Sequence, residues 1–146
     1  MDEPYDRETS GGYVTNRAAR AFIRALDRRL LNGSAGQMPV FLALIDGNAY
    51  TQTELARIAS VEQPTMANTL ARMERDGLIA RTPDPADGRS SLVSLNKLGR
   101  KRAAEAMEAA LAVNEAAFAP LSAAERKSFF DLLHRVIAAL DADGKA

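Results

Sequence analysis

Residues 63–76 carry two sets of side chains that would lie on opposite faces of a helix. The apolar set is spaced by four and three residues, as a buried helical stripe requires: Met66, Leu70 and Met73. The opposite face carries side chains that can bond to base edges or phosphates: Gln63, Thr65, Asn68, Thr69 and Arg72. In a major groove, amides pair with adenine, guanidinium groups pair with guanine, and a threonine methyl contacts thymine. The pattern fits a helix that reads DNA, and it also fits a helix face that is simply solvated.

A second candidate lies between two extended runs, residues 78–81 and 91–95, which predict a β-hairpin. The segment between them, residues 82–90, is rich in Pro, Asp and Gly and predicts a long loop, which is usually functional or disordered. Arg89 near the loop tip could enter a minor groove, where narrow A·T-rich DNA concentrates negative potential. Asp87 could hold the arginine side chain in place. The alternative is an exposed turn with an incidental ion pair, which contributes little.

An arginine stripe marks the first predicted helix, with spacings of three, four and four residues: Arg17, Arg20, Arg24 and Arg28. Like charges on one side of a helix repel unless an anion neutralises them. One interpretation is an anion-binding wall in a ligand cleft, with Tyr13 one turn earlier and Met38 and Phe41 lining the cleft. The other is a solvated or interface face paired with acids such as Asp27, with Met38 and Phe41 in the core. From the residues alone, we prefer the second.

The residues that most catalytic and metal sites need are scarce. The chain has no cysteine and one histidine, His134, so disulfides, thiolate sites, cysteine nucleophiles and thiol redox switches are excluded. A transition-metal site would depend on carboxylates, which suit such metals poorly. No nucleophile–base pair, phosphate-cradling loop or acid cluster with metal spacing is visible. We therefore expect no enzyme activity, cofactor or metal, and we expect His134 to pack at an interface.

Capping and stop signals predict the elements that position these residues. A short apolar helix over about 39–45 ends at an Asp-Gly-Asn turn. The next helix starts with a capping box formed by Thr51 and Glu54. After a short break, Pro64 stands where a first helical turn tolerates it, and a helix runs to about Asp76. Two short helices that are tightly connected and followed by a hairpin predict a winged helix-turn-helix.

Longer helices are predicted on both sides of this segment. One runs from about Tyr13 to Asn32, behind a flexible tail over residues 1–12, and stops at Gly33. Another is rich in alanine and runs from a cap at Asn96 to about Phe118.

The last predicted helix begins with a capping box at residues 122–125 and ends near residue 140. Its apolar side chains are Phe129, Phe130, Leu132, Leu133, Val136, Ile137 and Leu140. This is more apolar surface than one side of a helix hides in a small monomer, so a dimer is favoured over a monomer folded back on itself.

The charge balance is a weak indication of nucleic-acid binding. The formal net charge is zero, but residues 51–102 hold nine Lys and Arg against six Asp and Glu, whereas residues 103–146 hold four against seven. The longest apolar run, residues 40–45, is too short to span a membrane. The acidic, polar beginning does not resemble a secretory signal. We therefore expect a cytoplasmic protein with no membrane partner.

Several blocks of the sequence together resemble the multiple-antibiotic-resistance regulator (MarR) family of bacterial transcription factors. The blocks follow one another without insertions: TQTELA (51–56), QPTM (63–66), MERDGLI (73–79), DGR (87–89), LVSLN (92–96) and Gly99. The resemblance implies a fold that is mainly α with a small β-hairpin wing (α+β). It implies one domain over residues 13–142, in which 13–36 and 96–142 form dimerisation helices and 39–95 form the winged helix-turn-helix lobe.

The resemblance also implies a homodimer that represses transcription and binds a pseudo-palindromic operator in double-stranded DNA. The wing arginine, here Arg89, would contact the minor groove with support from Asp87. The candidate DNA contacts are Thr51, Gln63, Thr65, Asn68, Thr69, Arg72, Arg75, Asp87 and Arg89. Many members release DNA when a small aromatic or phenolic anion binds between the two parts. The candidate ligand pocket is formed by Tyr13, Arg17, Arg20, Arg24, Met38 and Phe41.

Two departures from the family pattern limit what can be carried over. Asn96 stands where the family usually has Thr, and Asn caps helices equally well. Asn68 stands where the family often has Arg, so the operator sequence cannot be carried over. Two alternatives stay open: a winged helix used only for protein contacts, and a DNA-binding regulator that responds to no ligand.

Overall fold

The computed structural model describes residues 4–30 and 35–145, which contain six α-helices, a short 3-10 helix and one antiparallel β-hairpin. The elements in chain order are α1 (Gly11–Asp27), a short 3-10 helix (Ala35–Gln37), α2 (Met38–Leu44), α3 (Gln52–Ala59), α4 (Gln63–Arg75), β1 (Ile79–Asp84), β2 (Asp87–Leu95), α5 (Lys97–Phe118) and α6 (Ala123–Asp143). This order confirms the predicted fold class, mainly α with a β-hairpin wing. The chain forms two compact units, residues 1–111 and residues 112–146.

Apolar side chains of α2, α3, α4 and β2 form the core of the first unit. The largest fully buried ones are Val40, Phe41, Leu44, Leu55, Met66, Leu70, Met73 and Val93. Removing one such side chain from water contributes about 1.5–3 kcal/mol. The predicted apolar stripe of α4, formed by Met66, Leu70 and Met73, is part of this core, and its burial fixes the orientation of the helix.

The connection between α3 and α4 follows the predicted signals. The Thr51 hydroxyl accepts the Glu54 backbone N–H at 3.2 Å, and the Glu54 carboxylate accepts the Thr51 N–H at 3.1 Å, so the capping box is confirmed. Ser60 turns the chain between the helices in the left-handed conformation, with φ of 54°. The helix α4 is followed by its predicted stop at Gly77, which has φ of 72°.

The connection between the two strands differs from the prediction. The predicted loop over residues 82–90 is wrong, because β1 continues to Asp84 and β2 begins at Asp87. The Asp84 carboxylate accepts the Ala86 backbone N–H at 2.9 Å, which stabilises the short turn. Proline is tolerated in β1, at Pro83, because this strand lies at the edge of the two-stranded sheet.

The pairing of the hairpin is interrupted close to the turn. Pro83 pairs with Ser91, whereas Asp84 pairs with Asp87, so residues 88–90 have no pairing residue on β1 and bulge out of β2. Arg89 is the middle residue of this bulge. The wing is therefore a long hairpin with a bulge near its tip.

Tyr50, two residues before α3, is tied to the wing by an isolated β-bridge that the sequence did not indicate. The Tyr50 N–H donates to the Val93 carbonyl at 3.1 Å, and the Val93 N–H donates to the Tyr50 carbonyl at 2.7 Å. The base of the hairpin is thus fixed against the start of the helix-turn-helix.

Asn96 caps α5 as predicted and also ties α5 to the end of α4. Its side-chain oxygen accepts the Gly99 N–H at 2.9 Å, and its side-chain nitrogen donates to the Gly77 carbonyl at 2.7 Å. Next to this cap, α5 passes so close to Leu78 that a Cβ atom on Gly99 would lie 2.0 Å from the Leu78 carbonyl oxygen. Only glycine permits that approach.

Both ends of α1 differ from the prediction. The helix begins at Gly11, inside the predicted tail, because the side chain of Ser10 accepts the Tyr13 N–H and supplies the N-terminal cap. It ends at Asp27 rather than near Asn32, since Leu26 already accepts a backbone N–H from three residues further on, which tightens the turn. The predicted stop at Gly33 lies outside the described residues.

The second unit contains α6, whose capping box is also confirmed. The Ser122 hydroxyl accepts the Glu125 N–H, and the Glu125 carboxylate accepts the Ser122 N–H at 2.9 Å. The Ser122 backbone N–H, with the hydroxyl as a smaller cause, lowers the pKa of the Glu125 carboxyl. Phe118, Phe129 and Phe130 form a cluster with ring centroids 5.2–5.5 Å apart.

All of α6 lies within the described residues, and none of its side chains is buried. Its exposed large apolar side chains are Phe129, Phe130, Leu132, Val136, Ile137 and Leu140. His134 is exposed on the same helix, so the interface packing expected for it stays a prediction.

Candidate nucleic-acid interface

The polar face of α4 points to solvent, opposite a stripe that is almost completely buried. Met66, Leu70 and Met73 are 2%, 0% and 0% exposed. On the other face, the exposed side chains are those of Gln63, Thr65, Asn68 and Arg72. Asn68 and Arg72 make no side-chain hydrogen bond or ion pair with another described residue, so both can bond to another molecule.

Two of the predicted threonine contacts are partly used inside the protein. The Thr69 hydroxyl donates to the Thr65 carbonyl at 3.0 Å, so its hydrogen is used within its own helix. Thr51 is half-buried, and its hydroxyl accepts the capping hydrogen bond. The Thr51 O–H is still free to donate, which suits a phosphate oxygen.

The pair formed by Gln52 and Gln63 was not anticipated. The Gln52 amide nitrogen donates to the Gln63 amide oxygen at 3.2 Å, which links the first residue of α3 to the first residue of α4. The signal in the sequence was the presence of glutamine at the start of both predicted helices. Nothing local to either helix shows that the two side chains meet.

Arg89 extends from the hairpin as an exposed side chain, and Asp87 supports the turn rather than the guanidinium group. The Asp87 carboxylate accepts the Arg89 backbone N–H at 3.0 Å and a hydrogen bond from the Ser90 hydroxyl at 3.5 Å. In the described part of the chain, the Arg89 side chain has no ionic partner. The predicted contact of Asp87 with the Arg89 side chain is therefore not found among the described residues; Asp87 accepts the Arg89 backbone N–H instead, and the guanidinium group stays available.

Two side-chain contacts hold α4 against its neighbours. The Arg81 side chain on β1 forms an ion pair with Glu74 on α4 at 3.2 Å. The Gln37 amide, which is 8% exposed, donates to the Asp76 carboxylate at 3.4 Å at the end of α4. Arg75 lies beside Asp76 at 3.8 Å in an exposed pair, which is worth little and leaves the arginine free to exchange partners.

A groove of about 580 Å³ follows one side of α1 and contains much of the predicted ligand wall. Its lining residues are Tyr13, Val14, Arg17, Ala18, Arg20, Ala21 and Arg24. Arg17 pairs with Glu8 at 3.2 Å, and its guanidinium carbon lies 5.8 Å from the centre of the Tyr13 ring.

Met38 and Phe41 do not line this groove. They are 9% and 1% exposed and belong to the core, because α2 turns its apolar face inward. The arginines lie along an open groove, as the ligand-cleft interpretation expects. Met38 and Phe41 pack in the core, as the other interpretation expects.

Other kinds of site find no support among the described residues. Within residues 4–30 and 35–145, no three His, Cys, Asp or Glu side chains come together to hold a metal ion. Over the same ranges, no helix is both long and apolar enough to cross a membrane.

Comparison with known proteins identifies close similarity to one family of regulators. A family model described as MarR family matches residues 31–90. The transcriptional regulator HosA of Escherichia coli O111:H- is 35% identical over 101 residues, which cover 69% of this chain and 75% of HosA. The HTH-type transcriptional repressor NicR of Pseudomonas putida is 26% identical over 136 residues, which cover 92% of this chain and 86% of NicR.

A solved structure extends the similarity to nearly the whole chain. BpsR of Bordetella bronchiseptica, whose DNA binding is regulated by 6-hydroxynicotinic acid, superposes with a TM-score of 0.82 at 26% identity. The superposition covers 92% of this chain and 97% of BpsR.

Proposed function

The chain belongs to the MarR family of transcriptional regulators, and from this premise we propose that it is a homodimeric repressor that binds a pseudo-palindromic DNA operator and is released by a small aromatic anion. In this proposal α4 enters the major groove, and Arg89 on the hairpin contacts the adjacent minor groove. NicR, which matches most of this chain, is a transcriptional repressor.

The observation that carries the proposal is the division of α4 into a buried apolar stripe and an exposed polar face. Asn68 and Arg72 on that face are exposed and unpaired within the described residues. Such a helix is rigidly held and presents groups that can bond to base edges, which is what major-groove recognition requires.

A dimer is supported by the apolar side chains along α6. Exposed apolar area drives association at roughly 25 cal/mol per Å². We propose that residues 13–36 and 96–142 supply the dimer helices and that residues 39–95 form the DNA-binding lobe. A two-fold dimer would place its two α4 helices about one turn of DNA apart, roughly 34 Å.

The proposed effector site is the arginine-lined groove on α1. Arg20 and Arg24 make no ion pair among the described residues, so they can bind a carboxylate or phenolate, and Tyr13 offers an aromatic surface. BpsR supplies a precedent, since an aromatic acid regulates its DNA binding. We propose no catalytic activity and, for a regulator of chromosomal genes, a cytoplasmic location.

Selection of bound duplexes from a random DNA pool, followed by binding measurements over a range of salt concentrations, tests this function. We expect a pseudo-palindromic sequence and a steep fall of affinity with salt, because phosphate contacts release counterions. Screening aromatic acids for release of the selected DNA then tests the effector. Failure to select any sequence would favour a protein-interaction module, and selection without release by any acid would favour a constitutive regulator.

Arg89→Ala is expected to weaken binding to the selected operator and to reduce the slope of log affinity against log salt by about 1. The reason is the loss of one cation from the groove, and fluorescence anisotropy with labelled duplex measures both quantities. Arg89→Lys is the matched control, because it keeps the charge. Affinity within about twofold of the parent protein would remove the hairpin arginine from the mechanism.

Asn68→Ala is expected to relax the base preference at one or two positions of the operator, at a cost of about 1–3 kcal/mol for the preferred base. An amide on the exposed face of α4 is well suited to a base edge, whereas alanine carries no hydrogen-bonding group. Sequencing of the DNA selected by each protein measures the change. Indistinguishable profiles would show that Asn68 reads no base.

A further inference from the structure

Gln52 and Gln63 form a direct amide–amide hydrogen bond between the two helices of the helix-turn-helix. The Gln52 nitrogen donates to the Gln63 oxygen at 3.2 Å, although the residues lie eleven positions apart in the chain. Gln63 is exposed on the face that we propose enters the major groove, and Gln52 is half-buried beside it.

The hydrogen bond changes what the Gln63 amide can offer to DNA. A free glutamine pairs with adenine through both ends of its amide, because the oxygen accepts from the adenine amino group and the nitrogen donates to N7. Here the Gln63 oxygen already faces Gln52 and accepts from it. The amino group remains, and neither of its N–H donors is used by another described residue.

A group that only donates matches guanine better than adenine. Guanine presents two acceptors in the major groove, N7 and O6, whereas adenine presents an acceptor beside a donor. The Gln63 amino group can donate to both guanine acceptors, whereas the adenine amino group would have to share the oxygen that Gln52 already occupies, so guanine is favoured.

We propose that Gln52 is a positioning residue that fixes the Gln63 amide as a donor and thereby selects guanine at the base pair that Gln63 faces. This inference rests on the proposed function, because it requires α4 in the major groove. Gln52 itself acts through Gln63, and its capping neighbours Thr51 and Glu54 satisfy each other without it.

The opposite direction of the same hydrogen bond gives a different selected base. If Gln63 donated to Gln52, its own oxygen would be free and adenine would be preferred. Gln52→Glu imposes this arrangement, since a carboxylate can only accept. The added negative charge repels all duplexes alike, so the ratio of affinities for two bases at one position isolates the directional effect.

The experiment begins by selecting bound DNA with the parent protein and with Gln63→Ala, to find the position that Gln63 reads. Affinities for duplexes with guanine or adenine at that position are then measured for the parent, Gln52→Glu, Gln52→Ala and Thr53→Ala. We expect guanine to be favoured by the parent. The guanine-to-adenine ratio should fall by about fivefold or more in Gln52→Glu, and by a smaller factor in Gln52→Ala.

Thr53→Ala is the matched control, because Thr53 is exposed on the same turn of α3 and should leave the ratio unchanged. An equal ratio in the parent and Gln52→Glu would overturn the inference, as would a parent that prefers adenine. A Gln63→Ala profile identical to that of the parent would also overturn it, while leaving DNA binding by the protein intact. If the parent selected no sequence at all, the proposed function itself would fail and this inference with it.

Discussion

Gly99→Ala is expected to lower the unfolding temperature by about 6–12 °C. The added Cβ would lie 2.0 Å from the Leu78 carbonyl oxygen and 3.0 Å from the Leu78 carbonyl carbon, both in the backbone, so α5 or the backbone at Leu78 must move. Such overpacking costs about 3 kcal/mol, which corresponds to that temperature shift in a chain of this size. Thermal unfolding followed by circular dichroism measures it.

Gly12→Ala is the matched control for this substitution. Gly12 also lies in a helix, and a Cβ atom there would meet nothing within 4 Å. Since alanine is the better helix former, the control should unfold at the same temperature or slightly higher. If Gly99→Ala unfolded together with Gly12→Ala, the close approach of α5 to Leu78 would not exist.

The position of Gly99 also connects stability to the proposed DNA site. Asn96 caps α5 beside Gly99, and it holds the Gly77 carbonyl at the end of α4. A shift of α5 would therefore disturb the end of α4 as well as the hairpin. We expect Gly99→Ala to lose affinity for DNA at temperatures well below its unfolding transition.

The helices of the DNA-binding lobe were predictable because their signals are local. The capping box of Thr51 and Glu54 predicted the start of α3, and Gly77 predicted the end of α4. The buried face of α4 was predictable from spacing alone, because Met66 and Leu70 repeat with the period of a helix and no other face is apolar.

The sequence predicted the hairpin but not where its two strands end and begin. The loop was predicted too long because Pro83 and Asp84 are typical turn residues, and here they continue a strand. Proline costs little at the edge of a two-stranded sheet, so turn chemistry alone could not fix the boundary. As a result, Arg89 lies in a bulge of β2 and not at the tip of a long loop.

The contacts that hold the site in place are the part that the sequence could not supply. The Tyr50–Val93 bridge and the Gln52–Gln63 hydrogen bond both join residues that are brought together only by the folded chain. Their residue types are common on any protein surface. Local patterns therefore identified the side chains on the exposed face of α4, while their orientation depends on partners that no local pattern specifies.

The double substitution Val136→Glu with Leu140→Glu is expected to convert the proposed dimer to a monomer and to weaken operator binding by about 100-fold or more. These side chains are 52% and 66% exposed, and they lie one turn apart on the apolar face of α6. Burying two unpaired carboxylates in an interface is strongly unfavourable. A monomer would bind one half-site and lose the gain of bivalent attachment, which is typically 10²–10⁴-fold.

Ala138→Glu with Ala142→Glu provides the matched control, because these exposed residues have the same spacing and lie on the opposite side of α6. Sedimentation gives the oligomeric state, and anisotropy gives the affinities for a full operator and for an isolated half-site. The apolar-face variant should bind the half-site nearly as well as the parent does, since its α4 is unaltered. A variant that stayed dimeric with full operator affinity would show that the apolar face of α6 is not the interface. A monomer that still bound the full operator with parental affinity would show that recognition does not depend on two copies.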